Sequence, residues 1–222
     1  MTILYEDNHL IAVNKRPGEI VQGDKTGDTC VLDEVKAFIK RRDNKPGNVY
    51  VGLPHRIDRP TSGVLLLAKT DKALARINKL IHDREFHKTY WAIVRNKPPK
   101  NSERLVHWLQ KNEKQNKSYA SETERSGWQR AEMEYTLIAS SENYFLLEIK
   151  LFTGRHHQIR VQLSAIGCPI RGDLKYGFDR SNRDASISLH ARSLEFIHPI
   201  KNETVTIIAD PPGEKLWEVL AG

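Results

Sequence analysis

The chain has 222 residues, with 35 Lys and Arg against 28 Asp and Glu and a formal charge of +7. Hydrophobic residues at 39% and charged residues at 28%, with a mean hydropathy of −0.57, suit a soluble globular fold and exclude collagen and disorder. The longest purely apolar run, Val64 to Ala68, is far short of the ~20 residues of a membrane helix.

In chain order, Ile3-Leu4-Tyr5 and Leu10 to Val13 flank the polar Glu6 to His9, which predicts a strand, turn, strand opening. Glu6 and Asp7 also interrupt any early secretory stretch. Gly23 to Asp28 reads as a loop. From Thr29, the spacing of Val31, Leu32, Val35, Phe38 and Ile39 predicts a helix ending on Lys40, Arg41 and Arg42, cations that suit a C-terminus. A short strand is expected at 49–53, and Val64 to Ala68, apolar on both faces, is a central strand. An amphipathic helix follows over 71–84 with Thr70 as N-cap, then a strand over 88–95.

The stretch 96–130 is polar and lysine-rich, and is expected to form a hairpin or long surface loops. Strands at 131–139 and 144–151 form a pair. A helix is expected over 155–166, closed by Gly167 with Pro169 beyond, followed by strands at 186–196 and 204–209 and a short helix at 215–220. Strands outnumber helices and hairpins outnumber crossovers. The reading is α+β, a mostly antiparallel mixed β-sheet with flanking helices, in one domain of two joined lobes over 1–222.

Cys30 and Cys168 belong to no Cys-x-x-Cys pair and make no disulfide framework, so a reduced, cytoplasmic setting is expected. A pI near 9.4 attracts polyanions and suits RNA or DNA as partner. Nothing resembles a Walker loop, a dinucleotide fingerprint or a zinc motif.

Three segments could carry chemistry. His55-Arg56-Ile57-Asp58-Arg59-Pro60-Thr61-Ser62-Gly63 wedges a polar cluster against a buried strand. Asp58 stands there between two cations that favour a negative charge, as a nucleophile or base at a sheet edge. Its plainer reading is a tight turn with solvated charges. Thr153 to Arg160, Thr-Gly-Arg-His-His-Gln-Ile-Arg, puts basic residues at a helix N-terminus, where they oppose the macrodipole and add no helix stability. On that helix His156 and Arg160 would share a face. His156 and His157 make a poor metal pair, because adjacent helical residues diverge. Lys88-Thr89-Tyr90-Trp91 offers a tyrosine to stack a base and a lysine to meet its phosphate.

Taken in order with Gly172-Asp173, Tyr176-Gly177, Leu189-His190-Ala191 and His198-Pro199, these segments resemble the RluA-type RNA pseudouridine synthases over nearly the whole chain. The resemblance implies a catalytic domain with a central cleft, a reaction without metal or cofactor, and a monomer acting on transfer or ribosomal RNA, with no membrane or DNA partner. It makes Asp58 the catalytic aspartate and Tyr90 the active-site tyrosine. Arg160 is implied to pair with Asp58, and Arg56 to fill the place of a flipped base. Arg155, His157, Arg171 and Lys88 are expected on the substrate. Lys97, Lys100, Arg104, Lys111, Lys114 and Lys117 are expected on phosphates. Ile57 replaces the family's usual Leu, a swap of similar volume. The small RNA-binding extension found before many relatives is expected to be absent. Two other classes, a catalytically silent RNA-binding module and a nucleoside glycosidase using paired carboxylates, stay open at this point. Asp58 has no second carboxylate in its motif, which argues against the second.

Overall fold

The computed structural model describes residues 1–23 and 27–222, so part of the loop expected over 23–28 lies outside the described residues. It divides into two compact units, Met1–His87 with Ala191–Asp210, and Lys88–His190 with Pro211–Gly222. Among the described residues no helix is long and apolar enough to cross a membrane.

In the first unit, β1 (Thr2–Glu6) and β2 (Leu10–Lys15) form an antiparallel hairpin. Asp7 closes it: one carboxylate oxygen accepts the backbone N–H groups of His9 and Leu10, each at 2.8 Å, an Asx-type turn. Strand β2 pairs antiparallel with β3 (Ser62–Ala68), Leu10 opposite Ala68. Every residue of β3 is buried, as its two-faced apolar pattern requires. Beyond β3 lies β9 (Leu189–Ile197), with β10 (Thr204–Ile208) antiparallel to it.

Helix α1 (Val31–Arg42) buries Val31, Val35 and Ile39. Helix α2 (Asp71–His82) begins at Thr70, whose hydroxyl accepts the Ala73 N–H at 3.2 Å. The α2 side chains Ala73 and Ile77 pack on Leu66, Phe86 and Phe196; the last two rings stack at 5.2 Å. Fully burying an Ile, Leu or Phe side chain there contributes about 1.5–3 kcal/mol. The strand expected at 49–53 reduces to one bridge, Gly52 to Ala68. Ala68 is the last residue of β3, and Pro54 cannot donate to a ladder, so pairing stops there.

In the second unit the strand order is β4 (His87–Val94), β8 (Phe145–Leu151), β7 (Gln129–Ser140), β5 (Ser102–Asn112), β6 (Lys117–Ser121), each pair antiparallel. The polar stretch 96–130 therefore does contain a hairpin, β5–β6. It is not a loop laid over the surface, however, because β5 is eleven residues long and zipped to β7. Its inner face is Leu105, His107 and Leu109, all buried. A histidine in the middle of that alternation hides the strand from a hydropathy pattern. Gln162 donates to His107 Nδ1 at 3.0 Å, and burial lowers the pKa of this imidazole.

Helix α3 spans Gln158–Ala165, three residues later than expected at its start. His157 stands at its N-cap with φ +53°, so His156 is outside the helix and shares no helical face with Arg160. Helix α4 (Lys215–Ala221) buries Trp217 and Leu220 against Ile93 and Leu146.

Candidate active site

In the first unit the loop carrying Asp58 is pinned from several sides. The Thr61 N–H donates to the Asp58 carbonyl at 3.0 Å, closing a turn. Lys15, 1% exposed, donates its ammonium to the carbonyl oxygens of Arg16 (2.9 Å), Arg59 (3.1 Å) and Thr61 (2.8 Å). The Gly18 N–H donates to the Arg59 carbonyl at 2.8 Å, and Arg59 Nε returns a bond to the Gly18 carbonyl at 3.0 Å.

Burial pulls the Lys15 pKa down to about 8, against the opposing pull of the Glu19 and Asp58 carboxylates. Lys15 is absent from the sequence expectations. Its signal was available: it falls in register with Ile11 and Val13 on a buried strand, where a lysine must have a polar reason to be.

The remaining motif residues follow from packing. Gly63 has φ +112°, and a Cβ there would lie 2.2 Å from the Ala191 carbonyl oxygen. Only glycine fits that approach. His55 is structural: its Nε2 accepts the Leu66 N–H at 3.0 Å. Asp58 is half-buried and Arg56 is exposed. His198, read as part of the last motif, lies 2.8 Å from Asp7 and its Nδ1 accepts the Lys201 N–H at 2.9 Å. Burial opposes the Asp7 charge, but backbone N–H donors and Tyr5 hold that carboxyl far below the usual range.

The second unit holds the other expected residues. Tyr90, 8% exposed, sits in β4 opposite Ile149, with Lys88 two residues earlier on the same side. Burial lowers the Lys88 pKa, and its ammonium lies against Gly154, 3.8 Å from where a Cβ would be. Two motif segments thus meet.

The Thr-Gly-Arg-His-His-Gln loop is folded onto the Gln158 side chain. Its Oε1 accepts the Thr153 hydroxyl at 2.8 Å and the Arg155 N–H at 3.0 Å, and its Nε2 donates to the Glu132 carbonyl at 3.1 Å. This clamp is why α3 starts at Gln158. Arg155 is exposed, with Nε donating to the Arg130 carbonyl at 3.2 Å.

Arg160 is 5% exposed and makes a two-pronged pair with Asp173, 1% exposed, at 2.7 and 2.9 Å. Its guanidinium lies 5.0 Å over the Tyr176 ring. Such fork geometry is the strong form of an ion pair. The Tyr176 hydroxyl accepts the Ser118 N–H at 2.8 Å and is hydrogen-bonded to His157 Nδ1 at 2.9 Å. Burial, then the positive charge of Arg160, drives the His157 pKa down to about 2, so this ring is neutral at any working pH. Its face is stacked on His156 at 3.7 Å. Arg171 has both outer nitrogens engaged, by Glu214 at 2.7 and 3.1 Å and by Ser188 at 3.1 Å. Asp173, Gln158 and Tyr176 are the residues whose parts the sequence did not disclose, since each acts through partners distant in the chain.

Of the six cations expected on phosphates, Lys100 pairs with Glu103, Arg104 with Glu132 and Lys111 with Glu113. Among the described residues Lys97, Lys114 and Lys117 have no carboxylate partner. Also among the described residues, no cluster of three or more His, Cys, Asp or Glu is placed to hold a metal ion.

Comparison with known proteins bears on this arrangement. The family model for RNA pseudouridylate synthase matches residues 9–165. The ribosomal large subunit pseudouridine synthase D of Zymomonas mobilis is 32% identical over 222 residues, covering 96% of this chain and 69% of the relative. The ribosomal large subunit pseudouridine synthase C of Buchnera aphidicola (Schizaphis graminum) is 35% identical over 216 residues, 93% of this chain and 66% of the relative. The chain thus spans about two thirds of the length of these relatives. In structure it is similar to human RNA pseudouridylate synthase domain containing 4, with a TM-score of 0.80 at 24% identity, over 98% of this chain and 91% of that one. The α+β fold with a mostly antiparallel sheet agrees with the structural match, and the chain belongs to the RNA pseudouridylate synthase family.

Proposed function

We propose that this chain converts specific uridines of large-subunit ribosomal RNA to pseudouridine, acting in the cytoplasm as a monomer with Asp58 as its catalytic carboxylate. The reaction class, isomerisation of uridine in RNA, is that of the family. The choice of ribosomal over transfer RNA is supported by the names of the relatives. In this reaction the C1′–N1 bond breaks and a C1′–C5 bond forms; N1 takes up a proton and C5 releases one to solvent. A carboxylate held against the ring serves by attack or by proton removal.

The observation that carries the reading is the loop around Asp58, whose Arg59 and Thr61 carbonyls are both held by one buried ammonium. A reacting group on so fixed a loop gains from positioning. In this reading Tyr90 stacks on the uracil and Arg160, fixed by Asp173, supplies positive charge. Arg56, exposed, takes the place of the extruded base, at a flipping cost of a few kcal/mol. Lys88 and Arg155 meet phosphates, and the neutral His157 offers hydrogen bonding. Arg171 contributes through the Glu214 and Ser188 contacts that hold it.

The test uses large-subunit ribosomal RNA transcribed with tritium at uridine C5. Turnover is expected to release tritium to water without free uracil. Uracil release would make the chain a glycosidase, and binding without tritium release would make it a silent RNA-binding protein.

A further inference from the structure

Between β6 and α3 the second unit has an open groove of about 300 Å³, the low end of the size range for small-ligand sites. Ala120, Val161, Ala165, Tyr119 and Tyr176 line it; Tyr176 is only 4% exposed, so Tyr119 is the ring it offers to a ligand. Tyr119 is 43% exposed and is held by its hydroxyl, which donates to Gln115 Oε1 at 2.5 Å. An exposed aromatic fixed at its far end adds little to a core and offers a prepared stacking surface. The Lys117 ammonium lies 5.8 Å from the Tyr119 ring centre and 5.4 Å from that of Tyr176, and has no carboxylate partner among the described residues. The only acid on the adjoining hairpin turn, Glu113, is taken by Lys111. Lys175 donates to the Asn116 carbonyl at 2.8 Å, bringing a further cation beside this turn.

A small apolar lining, one exposed aromatic ring and a cation without a carboxylate partner among the described residues fit a planar ring attached to an anion. We propose that this groove is a second base subsite, taking one unpaired nucleobase of the RNA substrate with its phosphate on Lys117. The inference rests on the reading that RNA is the substrate. Tyr176 is shared between this groove and the Arg160–Asp173 pair, since Arg160 and Lys117 both lie over its ring. Occupancy of the groove would therefore bear on the residues that hold Arg160. The occupant is RNA by charge complementarity, and stacking of this kind tolerates any base.

The experiment is an amide NMR titration of the full chain with single-stranded hexauridylate, and separately with inorganic phosphate. Hexauridylate is expected to shift the Ala120 and Ala165 amides, and phosphate at the same concentration is expected to leave them in place. The affinity read from these amides should fall at least about fivefold in Tyr119→Ala, the low end for one lost base–aromatic stack, and survive in Tyr119→Phe. Equal shifts with phosphate alone would reduce the groove to a cationic patch and overturn the proposal. So would an unchanged affinity in Tyr119→Ala, or shifts that follow protein concentration without RNA, which would place a second copy in the groove. A chain that shows these shifts but releases no tritium from ribosomal RNA keeps the subsite and loses the proposed function; the reverse loses the subsite alone.

Discussion

The Lys15 ammonium donates to three carbonyl oxygens around the Asp58 loop and pays for its burial with a pKa near 8, against an ordinary value of 10.5. The folded state therefore binds fewer protons than the unfolded chain between pH 8 and 10.5. Stability contributed by this group rises with pH through that window, and the full cost, about 3 kcal/mol, applies below pH 8. Activity should move the other way. A neutral amine has two N–H donors for three carbonyls, so the loop loosens and turnover falls as pH passes about 8. Urea unfolding at pH 7, 9 and 10.5 should show wild type gaining on Lys15→Met as pH rises, while single-turnover rates of wild type decline. A pH-independent stability difference would mean that Lys15 does not titrate in this range. The catalytic candidates were legible at this scale because Asp58 and Arg160 sit in dense polar segments beside apolar runs. Lys15 and Asp173 were not, because their meaning lies in partners more than ten residues away, Arg59 and Thr61 for one, Arg160 for the other.

At the scale of elements, β3 starts where it does because Ser62-Gly63 slides under the β9 backbone. Gly63→Ala would force a Cβ to within 2.2 Å of the Ala191 carbonyl oxygen at φ +112°, so it should cost about 3 kcal/mol or more. Gly18→Ala, at φ +86° with nothing within 4 Å of its Cβ, should cost only about 1 kcal/mol of backbone strain. Equal losses in chemical unfolding would show that close approach is not what Gly63 serves. Helix α2 was readable from its start, because Thr70 caps it and Ile77 with its neighbours keeps a helical period; its end falls at His82, two residues short of the expected 84, before Arg84 turns to φ +64°. The start of α3 was not readable. Basic residues from Arg155 onward look like helix, and only the fold reveals that Gln158 holds 153–157 as a loop. Strand β5 escaped for a related reason: its inward face includes His107, satisfied by a glutamine from another element.

For the molecule as a whole, the charge of +7 is spent unevenly. Lys100, Arg104 and Lys111 are committed to carboxylates, while Lys97, Lys114 and Lys117 have none among the described residues. Neutralising the last three to Gln should flatten the dependence of RNA affinity on salt by about 0.7 per lysine, with stability changed by less than about 0.5 kcal/mol. Lys100→Gln, measured the same way by filter binding across salt, should leave the slope nearly unchanged. A slope unaltered in the triple variant would assign the grip to other cations, Arg155 and Lys175 first. Fold class and family were legible in the sequence at this scale, because ordered motifs and alternating strands persist through the whole chain; the RNA partner's identity leaves no such periodic trace. The central claim is that Asp58 performs uridine isomerisation on ribosomal RNA. Its most direct test is a map of pseudouridines in large-subunit ribosomal RNA from cells lacking the gene, complemented with wild type or Asp58→Asn. The account predicts at least one position that disappears with the gene, returns with wild type and stays absent with a folded, RNA-binding Asp58→Asn. A position restored by Asp58→Asn, or no position lost at all, would contradict it.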